Sequence, residues 1–201
     1  AGDGAIYTFS KNADGTYTRP AGLYAELTIN SDGLYTLTYK DKTVYTFNES
    51  NQIASISDNI GDTTEFVYNA RGNLISVSNS LGDELTLAYY TTPGKADLIE
   101  RVTAGGVTCD YVYDDNKRLI KAQKPVENSN NWITEEYTYY ENGMLNKVLT
   151  AVDGEYLFAY GEGGKAESVT DPQRRRFDVT YQTEGASYIV TSSFAGKIIS
   201  Q

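Results

Sequence analysis

One phrase returns through this chain at a fixed interval. Tyr45-Thr46-Phe47 runs into Asn48, Phe66-Val67-Tyr68 into Asn69, and Leu87-Ala88-Tyr89 into Tyr90, so Phe47, Tyr68 and Tyr89 stand 21 residues apart. A steady period of this length marks a repeat architecture and constrains the fold before any other feature is read. Each unit ends its first strand on two apolar residues at i and i+2. The pairs are Tyr45/Phe47, Phe66/Tyr68, Leu87/Tyr89, Tyr111/Tyr113, Tyr137/Tyr139, Phe158/Tyr160 and Val179/Tyr181, with second members 21, 21, 24, 26, 21 and 21 residues apart. Residues at i and i+2 of a strand share a face, so these pairs predict one repeating inward row.

A turn rich in Gly, Asn and Asp follows each pair, as in Ala70-Arg71-Gly72-Asn73, Asp115-Asn116-Lys117-Arg118 and Glu141-Asn142-Gly143. These residues accept the positive φ that tight turns need. Return strands then begin at residues 53–56, 74–77, 119–122, 145–148 and 166–169, with apolar positions three apart. Strict alternation cannot place such positions on one face. Either a β-bulge near the turn or burial on both faces would accommodate them. One unit is therefore one hairpin of about 21 residues, and lone hairpins must stack to be stable. The longer intervals locate insertions at residues 91–95 and 125–131. Residues 1–43 read as lead-in, capping hairpins, with a strand at 6–9, a turn at 13–16 and an Asp-Gly hairpin around Ser31-Asp32-Gly33. Residues 44–201 read as one continuous array with no helix.

Composition agrees with an all-β chain: Tyr is 18 of 201 residues, and Thr, Val and Ile are frequent. Net charge is −10, which disfavours duplex nucleic acid and anionic membranes as partners. One cysteine, Cys109, precludes an intrachain disulfide. Histidine is absent, so the commonest general base and transition-metal ligand are missing. No apolar run reaches the ~18 residues of a membrane-spanning helix. The strand-like sequence at both ends leads us to expect a piece of a longer polypeptide, with an exposed sheet edge near Gln201 prone to edge-to-edge self-association.

Several units resemble the Rhs/YD-repeat family, whose motif runs Tyr-Asp, two variable residues, Gly-Arg-Leu, two variable residues and Val. Tyr68-Asn69-Ala70-Arg71-Gly72-Asn73-Leu74-Ile75-Ser76-Val77, Tyr113-Asp114-Asp115-Asn116-Lys117-Arg118-Leu119-Ile120-Lys121-Ala122 and Tyr139-Tyr140-Glu141-Asn142-Gly143-Met144-Leu145-Asn146-Lys147-Val148 follow it, with residues 47–56 as a fourth copy. Only the second keeps the literal Tyr-Asp, and the units from Tyr160 and Tyr181 are degenerate. The resemblance covers roughly residues 24–185. It implies an all-β fold of repetitive antiparallel hairpins in a long, curved, spiralling open sheet. It also implies a scaffold or encapsulating wall of a secreted or cell-surface bacterial protein, with a C-terminal cargo domain elsewhere in the polypeptide, and a kinship with teneurins. The family's autoprotease site, Asp-Pro-x-Gly-Leu, is not matched by Asp171-Pro172-Gln173-Arg174-Arg175, which reads as an ordinary turn. A propeller is the competing architecture, since two hairpins make a four-stranded blade, but blade signatures are absent.

Phe47, Tyr68, Tyr89, Tyr113, Tyr139, Tyr160 and Tyr181 are expected to form the repeat core, where tyrosine packs its ring and satisfies its hydroxyl; a sugar-stacking stripe is the alternative. Tyr90 and Tyr140 occupy the column held by Asn48, Asn69 and Asp114, which alternation aims at the opposite face. With Trp132 beside the second insertion they are candidate ligand contacts, for a glycan. The Arg174-Arg175-Arg176 run reads as a solvated turn rather than a phosphate site. Asp110, Asp114 and Asp115 match no calcium loop, and Cys109 has no histidine to activate it. No cofactor, metal or catalytic residue is expected, and the chain is not expected to be an enzyme. A binding module is the alternative to a scaffold, and a glycosidase-like carboxylate pair is the remaining one.

Overall fold

A computed structural model describes residues 4, 6–127, 129–184, 187–194 and 197–200. The chain divides into two compact units, Ala1–Gly106 and Val107–Gln201. The first unit carries ten strands: β1 (Ser10–Lys11), β2 (Tyr17–Thr18), β3 (Ala25–Ile29), β4 (Tyr35–Tyr39), β5 (Val44–Phe47), β6 (Ile53–Ser57), β7 (Thr63–Tyr68), β8 (Leu74–Asn79), β9 (Glu84–Tyr89) and β10 (Ile99–Ala104). The second carries β11 (Val107–Tyr113), β12 (Leu119–Pro125), β13 (Trp132–Tyr139), β14 (Leu145–Thr150), β15 (Gly154–Tyr160), β16 (Ala166–Thr170), β17 (Arg176–Glu184), β18 (Ser187–Phe194) and β19 (Lys197–Ser200).

The fold is all-β, built of successive antiparallel hairpins. In the first unit β1 pairs only with β2, and β3 to β10 pair each with the next in an unbroken antiparallel series. In the second, β11 to β19 do the same. A propeller would interrupt the pairing after every fourth strand, so that architecture is ruled out. The lead-in hairpin β3–β4 already belongs to the series, because β4 pairs with β5.

The three-residue spacing of the return strands has one cause. Thr46 faces Ser55, but Phe47 faces Ile53, which leaves Ala54 as an extra residue. The same one-residue slip falls beside Tyr68 (Ile75 extra), Tyr89 (Glu100), Tyr113 (Ile120), Tyr139 (Asn146) and Tyr160 (Glu167). This is a β-bulge, in which two residues oppose one and the side-chain alternation is reset. Across it, Ile53 sits opposite Phe47 while Ile56 sits opposite Tyr45, and Leu74 and Val77 sit opposite Tyr68 and Phe66. The bulge thus returns residues three apart to the face of the aromatic pair.

Two local expectations are corrected. Residues 6–9 are not a strand; Ile6 is almost fully exposed, with no strand beside it among the described residues to satisfy a ladder, and the described pairing starts at Ser10 opposite Thr18. A single 3₁₀ turn, Glu162–Gly164, appears where no helical residue was expected. Gly161-Glu162-Gly163-Gly164 departs from the repeat's turn sequence, and the positive φ of Gly163 (70°) and Gly164 (74°) permits the tighter winding. The expected bare edge at Gln201 falls outside the described residues.

Candidate functional site

The turns after Phe47, Tyr68, Tyr113, Tyr139 and Tyr160 are built by one rule, whereas after Tyr89 the insertion intervenes and the Tyr90 N–H donates to the Leu98 carbonyl at 3.1 Å. The residue that follows the aromatic donates its backbone N–H to the carbonyl four residues on: Asn48 to Gln52 (2.8 Å), Asn69 to Asn73 (2.9 Å), Asp114 to Arg118 (3.0 Å), Tyr140 to Met144 (2.8 Å) and Gly161 to Lys165 (2.9 Å). Its own carbonyl accepts from the N–H three residues on, and that third residue is left-handed: Asn51, Gly72, Lys117, Gly143 and Gly164 have φ of 59°, 84°, 63°, 86° and 74°. Where the first residue is Asn or Asp, its side-chain oxygen also accepts the backbone N–H groups inside the turn. The oxygen of Asn48 takes those of Ser50 and Gln52, and that of Asn69 those of Arg71 and Asn73. Such a side chain mimics one more turn of backbone.

The Asp of the Tyr-Asp motif therefore closes a turn. Asp114 accepts the N–H of Arg118 at 2.9 Å, and its second oxygen meets the Arg118 guanidinium at 2.7 Å. The Arg118 backbone N–H, aided by its guanidinium, holds the Asp114 carboxyl below the ordinary carboxylate range against the cost of burial. Arg118 also lies 4.9 Å over the ring of Tyr139, in the next hairpin. Asp171 repeats the arrangement with Arg175, at 2.8 Å to the N–H and 2.6 Å to the guanidinium. Of the Arg174-Arg175-Arg176 run, Arg175 is thus engaged by Asp171, Arg176 pairs with Asp178 at 2.6 Å, and Arg174 takes the left-handed position.

Tyr68, Tyr89 and Tyr139 each link one hairpin to the one before it. The Tyr68 hydroxyl donates to the carbonyl of Ile53 (2.9 Å), that of Tyr89 to Leu74 (2.8 Å) and that of Tyr139 to Leu119 (2.7 Å). Ile53, Leu74 and Leu119 are the residues that face Phe47, Tyr68 and Tyr113 across the bulge. Each phenol therefore reaches back to the bulge of the preceding hairpin. Each such bond contributes on the order of 1 kcal/mol. Burial raises the hydroxyl pKa of Tyr89 and of Tyr139 above the ordinary phenol value. Tyr160 packs edge-on against Tyr140, with ring centroids 6.3 Å apart. Tyr181 has Lys165 over its ring at 5.3 Å and departs from the rule: it faces Val190 in the long β17–β18 hairpin, with no bulge beside it.

Tyr140 does not point to the opposite face. It starts a turn, so strand alternation no longer governs it, and its hydroxyl donates to the Phe158 carbonyl at 2.9 Å while its ring meets Tyr160. It is 38% exposed, and Trp132 is 49% exposed at the far end of β13. Eight residues of strand separate the two by roughly 25 Å, so they do not share a patch. Tyr90 belongs to the first unit, where it lines a cavity of about 450 Å³ with Asn69, Arg71 and Ala96. Cys109 is half-buried beside Tyr111, Ala122 and Ile133. Among the described residues, no group of three His, Cys, Asp or Glu side chains is placed to hold a metal ion.

Residues 32–198 match the family model described as Teneurin YD-shell. The chain belongs to the Teneurin YD-shell family. It is 33% identical over 205 aligned residues to the tRNA nuclease WapA of Bacillus subtilis (strain 168), and likewise to the tRNA3(Ser)-specific nuclease WapA of Bacillus spizizenii. In both cases the match takes in 91% of this chain and 8% of the relative, so the chain spans only a small part of these proteins. Among solved structures, the TcdB2-TccC3 crystal structure is similar over 97% of this chain and 15% of that one, with TM-score 0.45 and 14% identity. A porin-like protein from Bacteroides uniformis is similar over 92% and 87%, with TM-score 0.43 and 12% identity. No described helix is long and apolar enough to cross a membrane.

One cluster went unread in the sequence. Arg19, Lys40 and Lys42 gather with Tyr17, Tyr24 and Tyr39 around a cavity of about 670 Å³. The three cations are spread over 24 positions and form no charge run, so only the hairpin pairing reveals them.

Proposed function

We propose that this chain is a non-catalytic wall segment of a YD-repeat shell in a longer secreted or cell-surface bacterial protein, which carries its cargo domain beyond the repeats. The observation that supports this most is the linkage of Tyr68, Tyr89 and Tyr139 each to the preceding hairpin. The ordered, repeated chemistry of the chain goes into joining one hairpin to the next, which is what a wall requires. The nuclease activity named for the WapA relatives is read as belonging to other parts of those proteins, since 8% of their length is matched here. The placement of Tyr90, Trp132 and Tyr140 gives no observation in favour of a shared glycan patch.

Two measurements test the reading. Purified chain incubated with tRNA is expected to leave it intact; cleavage that persists through repurification would overturn the non-catalytic assignment. Removal of residues 44–201 from the polypeptide that carries them is expected to leave its downstream domain open to protease. Unchanged protection would overturn the role as a wall.

A further inference from the structure

The first insertion changes what the turn after Tyr89 can do. The turn before it closes within five residues, Asn69 to Asn73, but here nine run from Tyr90 to Leu98. Two internal bonds, from the Lys95 N–H to the Thr92 carbonyl (3.1 Å) and from the Leu98 N–H to the Lys95 carbonyl (2.8 Å), fold the loop on itself. The loop then leans on the turn of the preceding hairpin. Arg71 reaches the Ala96 carbonyl at 3.5 Å, and the Asn73 amide reaches the Asp97 carboxylate at 3.4 Å. Loop, turn and β9 enclose a cavity of about 450 Å³. Ile75, Leu87 and Ala88 give it an apolar floor, the bulge beside Tyr68 having taken Ile75 out of the inward row. Arg71 is the one charged residue of the lining, in a chain of net charge −10. It is exposed, and among the described residues no carboxylate pairs with it, whereas Arg118, Lys121, Lys147, Arg175 and Arg176 all have acidic partners. The Asn69 side-chain oxygen takes the N–H groups of Arg71 and Asn73, which leaves its amide nitrogen as a second donor.

We infer that this cavity binds a small apolar carboxylate, the end of a peptide or a free organic acid, with the carboxylate on Arg71 and the apolar body over Ile75, Leu87 and Ala88. A guanidinium fork matches the two oxygens of a carboxylate. The long bond from Arg71 to Ala96 stands at the limit of hydrogen-bond reach, so a ligand gives up little by displacing it. A phosphate is a poorer fit, because one cation and an apolar floor offer too few donors to replace its water. The volume falls in the range of small-ligand sites. Tyr89, whose hydroxyl is bonded to Leu74, and Tyr90, likewise engaged, contribute wall rather than donors. The Asp97 carboxylate lies outside the lining and is held by Asn73. The inference does not depend on the wall assignment.

Calorimetric titration of the whole chain at low salt tests it, with N-acetyl-phenylalanyl-leucine, the C-terminal amide of that dipeptide, and 4-phenylbutyrate as probes. At least one carboxylate probe is expected to bind with a Kd below about 10 mM and about tenfold or more tighter than the amide. The tighter of the two carboxylates tells a peptide end from a free acid. Arg71→Gln, at an exposed position, is expected to weaken that probe about tenfold and to leave the amide unchanged. Ala70→Trp, which fills the cavity from an exposed turn position, is expected to weaken it severalfold or more. No binding by either carboxylate at about 10 mM, equal binding of the amide, or an affinity unchanged in either variant overturns the inference. The comparison of acid with amide uses the unmodified chain, so it decides the matter even if a variant fails to fold.

Discussion

The acidic residue of the Tyr-Asp motif works as a turn cap, and the pH response of the fold follows from that. The Asp114 carboxyl is held below its ordinary value by the Arg118 N–H and guanidinium. A depressed carboxylate stabilises the fold above its unfolded pKa, about 3.9, and the contribution fades as pH falls through the lower folded value. Asp114→Asn keeps an oxygen for the turn but loses the charge. The drop in Tm between about pH 7 and about pH 3 is therefore expected to be smaller in that variant than in the parent chain, as read by circular dichroism. The phenols give a second prediction. Tyr89→Phe removes the bond to Leu74 and is expected to cost about 0.5–1.5 kcal/mol in urea denaturation. Tyr160→Phe, whose hydroxyl makes no such bond among the described residues, is expected to cost less. At this scale the spacing of the aromatic column is plain in the sequence, but the use of the column beside it is not. Asn48, Asn69 and Asp114 look like outward strand positions until the turn they close is seen, and Tyr140 follows the turn's geometry as well.

Among the elements, the hairpin period and its turns were legible because Gly, Asn and Asp recur at fixed offsets from each aromatic. The bulge was only half legible: the three-residue spacing of Ile53/Ile56 and Leu74/Val77 demanded either a bulge or two buried faces, and periodicity alone could not separate them. Pairing separates them, since Leu74 and Val77 both face aromatics of β7. Inserting one residue between Ser76 and Val77 would set Leu74 and Val77 on opposite faces, because the bulge offsets only one extra residue. A one-residue slip inverts every side chain beyond it, so the insertion is expected to cost several times more than Ile75→Ala. Hydrogen exchange should show lost protection along β7 and β8. The lead-in was misread at residues 6–9 because alternation alone cannot tell a strand from a segment that lacks a neighbour.

Taken whole, the chain keeps much of its apolar side chain half wet. It exposes 13816 Å² at 22.2 kDa, against roughly 9,400 Å² expected for a compact monomer of that mass. No described side chain is less than 2% exposed. Unfolding should thus hydrate less new apolar surface than usual. The heat-capacity change measured by calorimetry is expected to fall well below the roughly 2.4–3.0 kcal/mol/K that 201 residues would ordinarily give. The family was legible from several motif copies at a steady interval, whereas the basic cavity was not, since distant hairpin strands assemble it. The phenol that reaches back one bulge carries a last consequence. Every hairpin of this kind brings its own connector and offers the next one the same carbonyl, so a gene encoding such a chain can grow or shrink by whole copies without inventing a new joint.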